Sequence, residues 1–425
     1  MWNVIHQRSL LTHEPNELRI LRVVREKGAI SRVEIARATN LHKATVTHLV
    51  AKLIRSGFLE DTGEVEARNH VGRKRILLKF RPMAGIVAGV DIRMTRVTVA
   101  LSDLNALILV QDAFDYSVSD SAGEVLLRAA STIKALLKST KLAQSKLVGI
   151  GVGVQGIIDC ATNTLILSYN KKSWQGESLS APLEAEFNVP VYVENDVKTM
   201  ALGEYLLGVA KGRKNFFHIW VGEGVGAGIM INGQLLHGIT SSAGEIGYNV
   251  LDCAPSCREK FPLTYRDQVI FGEILTDANF VESYRRSSPH PTDGDITVAS
   301  IAERARLGDA TAQQLIEEYT TLLSLICINM VNALNPELIL IGGQLAQNYP
   351  GIAEMLQAKI HGDLLTPPAE AVKVRTASDT ACGVILGAAG LVLYELFEPL
   401  HRVSARSPRR HSTVKPREVD AVELM

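Results

Sequence analysis

Apolar positions recur with helical spacing in three short stretches near the start of the chain. In residues 16–28, "NELRILRVVREKG", Leu18, Leu21 and Val24 share one face, and Gly28 is placed to end the helix. Residues 31–40, "SRVEIARATN", open on Ser-x-x-Glu, the pattern in which Ser31 caps a helix and Glu34 returns the bond. They close on Asn40, which suits the left-handed residue after a helix. Residues 41–57 set Val46, Leu49, Val50 and Leu53 on one face and Lys43, Thr45, Thr47 and His48 on the other, with Gly57 as the stop. Two extended segments in 58–80 then flank a charged middle holding Arg68, His70, Arg73, Lys74 and Arg75. Three helices, a tight turn between the last two and a basic hairpin predict a winged helix-turn-helix over residues 1–81. Its third helix has the width of a major groove, so Lys43, Thr45, Thr47 and His48 are the candidate base and phosphate contacts. Arg73, Lys74 and Arg75 of the wing are candidates for backbone phosphates or the minor groove. The alternative is a protein-interaction module whose polar face is merely solvated.

From residue 82 the pattern changes. Residues 85–109 predict three strands, with Asp103 and Asn105 in the hairpin between the last two. A helix over 122–139, a buried strand in 146–159 and a strand leading into a helix that starts near Asp196 follow. The second half repeats the plan: strands at 216–221, 226–231 and 234–236, a helical stretch over 298–334, a strand at 337–343, then further helices. Meandering strands followed by alternation with helices imply an α/β fold with a sheet in each half, lobes of about 82–210 and 211–400, and a ligand cleft between them. The tail, 401–425, lacks apolar periodicity and is expected to be disordered.

Charge sharpens the division. Residues 1–80 carry 15 Lys/Arg against 8 Asp/Glu in a chain of zero net charge, so a basic front adjoins an acidic body. A polyanion partner for the front fits that asymmetry. The 425 residues, 46% hydrophobic and 21% charged, suit a globular multi-domain protein. No apolar leader and no clear membrane span are visible, so a cytoplasmic location is expected. Five cysteines, an odd number, argue against a disulfide framework. Cys160, Cys327 and Cys382 read as small core residues, and Cys253 and Cys257 form a C-x3-C pair.

The segments "VDIRMTRVTVALSDLNA", "VENDVKTMALGE", "VGEGVGAGIMINGQLLHGITSSAGEIGY" and "NPELILIGG" together resemble the ROK family of sugar-responsive repressors and sugar kinases. The resemblance runs from about residue 16 to 398, and the front module is similar to that of the repressor branch, the xylose and N-acetylglucosamine repressors among them. It implies a winged helix-turn-helix followed by a two-lobed, actin-like, ribonuclease-H-type domain over 82–400, a sugar in the cleft, and a homodimer or homotetramer. Asn195 and Asp196 match the pair that in the kinases holds a sugar hydroxyl and acts as general base. Asp196 has a second reading as a helix cap. Glu245 matches a sugar-binding glutamate. Asn170 and Trp174 resemble the loop that closes over the sugar, although Trp174 is equally readable as a packing residue.

Against that resemblance stand three departures. The kinases' first phosphate loop is Asp-x-Gly-Gly-Thr; residues 91–95 are "DIRMT", with Arg93 and Met94 where the backbone should be bare. Their second is Gly-Thr-Gly; here it is Gly222-Glu223-Gly224. A carboxylate ~4 Å from a phosphate charge costs about 4 kcal/mol at an effective dielectric near 20. The family's zinc set begins with a His where this chain has Tyr248, and Cys253 and Cys257 fall short of the four ligands structural zinc requires. Neither ATP, metal nor other cofactor is therefore expected. Tyr248 is a candidate hydroxyl donor to the sugar. The expectation is a regulator, most simply a repressor of carbohydrate genes, that binds a palindromic double-stranded operator and answers a small sugar or sugar phosphate. A sugar kinase with an appended DNA-binding domain and a regulator governed by a protein partner are the rival readings.

Overall fold

The computed structural model describes residues 15–65, 76–168, 170–252, 269–288, 296–363, 366–378 and 380–397. The front module contains α1 (Pro15–Lys27), β1 (Ile30–Ser31), α2 (Arg32–Thr39), α3 (Lys43–Arg55), β2 (Leu59–Val65) and β3 (Ile76–Phe80). The stops and caps are those the residue types dictate. Gly28 and Gly57 take φ of 73° and 83°, and Asn40 takes 52°. The Ser31 backbone N–H donates to Glu34 Oε2 at 3.1 Å. Val46, Leu49, Val50 and Leu53 are buried as expected. On α1 the face is rotated slightly: Ile20, Leu21 and Val24 are fully buried and Leu18 is not. The cause is Glu17, buried on that face and held by Lys52 of α3 at 2.6 Å. β3 pairs antiparallel with both β1 and β2 to close a small sheet.

The body holds two five-stranded sheets. The first comprises β4 (Ile86–Ile92), β5 (Arg96–Asp103), β6 (Ile108–Asp115), β7 (Leu147–Val154) and β10 (Val191–Asn195) in the order β10-β7-β4-β5-β6. Between them run α4 (Ala122–Ser139), the hairpin β8 (Ile157–Asp159) and β9 (Thr164–Leu167), and α5 (Ala181–Phe187). The β5–β6 turn is fixed by Asp103, whose Oδ1 accepts from the N–H groups of Asn105 and Leu107 at 2.8 and 3.0 Å.

After α6 (Asp196–Leu206) comes the second sheet, β11 (Phe216–Val221), β12 (Val225–Ile231), β13 (Gln234–Leu235), β16 (Leu338–Gly343) and β17 (Lys373–Thr376), in the order β13-β12-β11-β16-β17. Both sheets thus place their strands third-second-first-fourth-fifth, an antiparallel meander extended by parallel strands. That duplication is the actin-like plan. Between β13 and β16 lie β14 (Val250–Asp252), β15 (Val269–Ile270), α7 (Phe271–Ile274), α8 (Asp277–Ser287), α9 (Val298–Arg306) and α10 (Ala310–Leu334). The helical stretch expected over 298–334 is therefore two helices. Gly308, at φ 96°, separates them, and Asp309 Oδ1 caps the second through the Ala312 N–H at 3.0 Å.

Three helices remain between β16 and the end of the second sheet or beside it, α11 (Gln344–Asn348), α12 (Ile352–Asp363) and α13 (Thr366–Ala371), and the last helix is α14 (Thr380–Phe397). It crosses back to the first sheet, where a Cβ on Gly151 would sit 1.7 Å from the Ala388 carbonyl oxygen. α6 crosses the other way, onto β12. The two helices meet at Gly387, where a Cβ would sit 1.8 Å from the Thr199 carbonyl oxygen. At its end α14 reaches the front module: the Phe397 ring lies edge-on to Phe80 at 5.9 Å, with the Arg25 guanidinium 4.6 Å above it. The front module is thus seated on α14. Among the described residues no helix is long and apolar enough to cross a membrane.

Candidate functional site

On the front module, Lys43, Thr45, Thr47 and His48 are all exposed along the outer face of α3. Val46, Leu49, Val50 and Leu53 hold the opposite face in the core. His42, which the sequence pattern did not single out, caps this helix by accepting the Ala44 N–H at 3.3 Å. Arg73, Lys74 and Arg75, with Arg68 and His70, lie outside the described residues.

Between the lobes is a cavity of about 530 Å³, with Asn170, Asn195, Asp196, Glu245 and Tyr248 all on its wall. Residues far apart in sequence are assembled here by strand ends. Asn195 ends β10 and is the N-cap of α6, its Oδ1 accepting from Val197 and Lys198 N–H at 3.0 and 3.1 Å. Its Nδ2 donates to the Gly156 carbonyl at 3.0 Å, which leaves one N–H for a ligand. The capping role considered for Asp196 therefore belongs to its neighbour. Asp196 stands in the first turn of α6, and burial, reinforced by Asp91, pushes its carboxyl up to about 6. Glu245 is also raised by burial. Asn170 donates to Gln155 Oε1 at 3.2 Å. Trp174 takes its packing role: it is buried, its indole N–H donates to the Asp120 carbonyl at 2.8 Å, and it stacks on Tyr116.

Two further carboxylates on the wall, Glu273 and Asp277, escaped sequence reasoning because neither stands in a recognisable motif. Glu273 Oε2 is buried without a partner among the described residues, and burial beside Glu223 pushes Asp277 up to about 6.

The two turns that match the phosphate loops of the family's kinases both line the cavity, and both present charged side chains to it. Arg93 folds back so that its Nε donates to Asp91 Oδ2 at 3.0 Å. Although burial opposes its charge, Asp91, Asp196 and Glu223 hold the guanidinium protonated. The Arg93 carbonyl is taken by the Tyr116 hydroxyl at 2.5 Å and by Lys171 Nζ at 3.0 Å. Burial lowers Lys171 to about 8. The Arg93 N–H is itself taken by the Arg96 carbonyl at 3.0 Å. On the second turn Glu223 is exposed at the cavity, while the Gly222 N–H donates to the Gly224 carbonyl at 3.0 Å. Gly222 serves the turn, since a Cβ there would lie 2.6 Å from Trp220 Nε1, whereas a Cβ on Gly224 would meet nothing within 4 Å.

The ROK family model matches residues 87–395. The chain belongs to the ROK family. A winged helix-turn-helix DNA-binding model matches residues 14–60, so this ROK protein carries a DNA-binding domain at its front. It is 26% identical over 397 residues to a putative xylose repressor of Caldicellulosiruptor sp. (strain Rt8B.4), across 91% of this chain and 97% of the relative. It is 24% identical over 378 residues to the DNA-binding transcriptional repressor Mlc of Escherichia coli (strain K12), across 87% and 91%. Its fold matches that of a ROK family transcriptional regulator, a homologue of the E. coli Mlc protein, with a TM-score of 0.77 at 21% identity, over 93% of this chain and 97% of the other.

The zinc set implied by the ROK resemblance does not fit these residues. Tyr248, with its phenol, stands where the family's imidazole ligand would be, and Cys253 and Cys257 lie outside the described residues. Cys160, expected in the core, is exposed, because it follows β8 on the rim of its hairpin. Cys327 is buried on α10 as expected, and the side-chain surroundings of Cys382 lie outside the description.

Proposed function

We propose that this ROK protein is a transcriptional repressor, acting as a homodimer or homotetramer, that releases a double-stranded operator when an uncharged sugar occupies the cleft. Lys43, Thr45, Thr47 and His48 read the major groove, and Arg73, Lys74 and Arg75 of the wing neutralise phosphates. Asn170, Asn195, Asp196, Glu245 and Tyr248 contact the sugar. The observation that carries the effector class is the carboxylate lining. Asp196, Glu223, Glu245, Glu273 and Asp277 face the cavity, and the one guanidinium there among the described residues, Arg93, is already paired. Carboxylates accept from hydroxyls and repel phosphate. The choice between sugar and sugar phosphate therefore falls on the free sugar. The same lining disfavours a triphosphate, so the domain serves as a sensor rather than a kinase.

Calorimetry of the full chain with a panel of aldopentoses and aldohexoses, their phosphates and ATP tests this. Binding of at least one free sugar, with weaker binding of its phosphate and none of ATP, is expected. Phosphorylation of a sugar at the expense of ATP, lost in Asp196→Asn, would establish the kinase reading instead. Binding of neither sugars nor sugar phosphates would leave the protein-partner reading.

A further inference from the structure

Apart from the proposed effector contacts, three metal-ligating side chains of different chemistry converge on one point. Cys160 comes from the turn after β8, Glu194 from β10 and His237 from the loop after β13. Each offers one ligand atom, and the three atoms lie within 4.8 Å of one another. Cys160 Sγ is 3.4 Å from Glu194 Oε2, and His237 Nε2 is 2.6 Å from the same oxygen. Ligands on a tetrahedral zinc ion, at 2.0–2.3 Å from the metal, are themselves separated by roughly 3–4 Å. An ion between them requires the His237 imidazole to back away by a fraction of an ångström. His237 sits in an irregular loop and is 40% exposed, so it has room to do so.

We propose that Cys160, Glu194 and His237 form a divalent transition-metal site, of zinc type, that bridges the two lobes. One sulfur, one nitrogen and one oxygen donor suit a borderline cation such as Zn²⁺ and do not suit Mg²⁺ or Ca²⁺, which take oxygen. Three protein ligands leave the fourth position to water, which the exposure of Cys160 permits. Glu194 is 2% exposed, and its other oxygen accepts the Asn195 N–H at 2.8 Å, so the carboxylate is already oriented. Lys198 Nζ lies 4.0 Å from that other oxygen, on the side away from the thiol and imidazole, and is itself bound to the Ser241 carbonyl. Binding converts the Cys160 thiol to thiolate and releases its proton to solvent; no electron moves. Cys160 and Glu194 belong to the first lobe and His237 to the second, so the ion pins the loop that leads to Glu245 against the strand that leads to Asn195. This site shares no residue with the zinc set that the family resemblance implies, and the inference does not depend on what occupies the cleft.

The test uses full-length protein stripped with a chelator and titrated with Co²⁺ and then Zn²⁺. One equivalent of Co²⁺ should bind with a near-ultraviolet sulfur-to-cobalt band, and Zn²⁺ should displace it. The band should vanish in Cys160→Ser and weaken in His237→Ala, yet persist in a Cys253→Ser/Cys257→Ser variant. Zn²⁺ should raise the melting temperature of the parent chain and leave that of Cys160→Ser unmoved. Equal metal-free melting temperatures for the parent and Cys160→Ser would show that the variant is folded. Absence of stoichiometric binding overturns the proposal, as does a band that survives Cys160→Ser or is lost only with Cys253 and Cys257.

Discussion

Asp196 and His218 show how burial sets the behaviour of single groups in this protein. Asp196 faces the cavity as a strong acceptor, and its Oδ1 takes the N–H of its chain neighbour Val197 at 3.0 Å. A hydrogen bond from a sugar hydroxyl to a charged acceptor is worth about 1.5–3 kcal/mol. Asp196→Ala should therefore weaken sugar binding roughly ten- to hundredfold by calorimetry, while α6 persists because Asn195 supplies its cap. His218 on β11 is buried, and neither ring nitrogen has a hydrogen-bond partner among the described residues. Burial pushes its pKa down to about 4, below the unfolded value of about 6.5. Between those values the unfolded chain binds the extra proton, so stability is full above about pH 6.5 and falls as the pH drops towards 4. Between pH 7.5 and pH 5 the parent should lose about 2 kcal/mol more stability in urea melts than His218→Phe. Equal losses would contradict the assignment. At this scale the sequence was informative where one residue type has one job: Asn40, Gly28, Gly57 and Asp103 all take their expected turns. It was silent on His218, because a histidine inside a continuous apolar run of a strand does not reveal what its face packs against.

The elements that matter most are α3, α6 and α14. α3 was legible in full, since its buried stripe and exposed polar stripe are both local patterns. Lys43→Ala should weaken DNA binding about equally across sequences and reduce the salt slope by about one, whereas Thr45→Ala or His48→Ala should relax preference among operator variants. A Lys43→Ala chain with unaltered salt dependence would remove that contact from the account. α6 and α14 were legible as helices but not as partners. Their exchange of sheets follows from glycines such as Gly151 and Gly387, which only a packed structure explains. The consequence is a continuous path of contacts: α6 begins at Asn195 and Asp196, lies along α14, and α14 ends on Phe80 and Arg25 of the DNA-binding module. A sugar that favours one arrangement of α6 biases the front module through this pair, provided that it binds the two arrangements unequally. Phe397→Leu keeps an apolar side chain and loses the ring. It should leave sugar affinity near that of the parent while reducing the sugar-induced change in DNA affinity, measured by fluorescence anisotropy. Undiminished coupling would place the path elsewhere.

For the whole molecule, the duplication of the two sheets was visible as a repeat of strand patterns, and the family motifs fixed the two-lobed fold. The cleft was only partly legible. Asn195, Asp196 and Glu245 stand in recognisable motifs, but Glu273 and Asp277 come from α7 and α8, and the negative charge they add to the cavity disfavours a phosphate there. Cys160, Glu194 and His237 meet only because the lobes fold towards one another, which no spacing along the chain announces. The account thus rests on one division: a basic front that grips DNA and an acidic cleft that takes a hydroxyl-rich neutral ligand. Its most direct test is anisotropy of the intact protein on duplex fragments from upstream of its own gene at low salt, titrated with free sugars, sugar phosphates and ATP. The account predicts tight binding to one fragment and release by a free sugar alone. Failure to bind any fragment, or release by ATP or a sugar phosphate in preference to the free sugar, would contradict it.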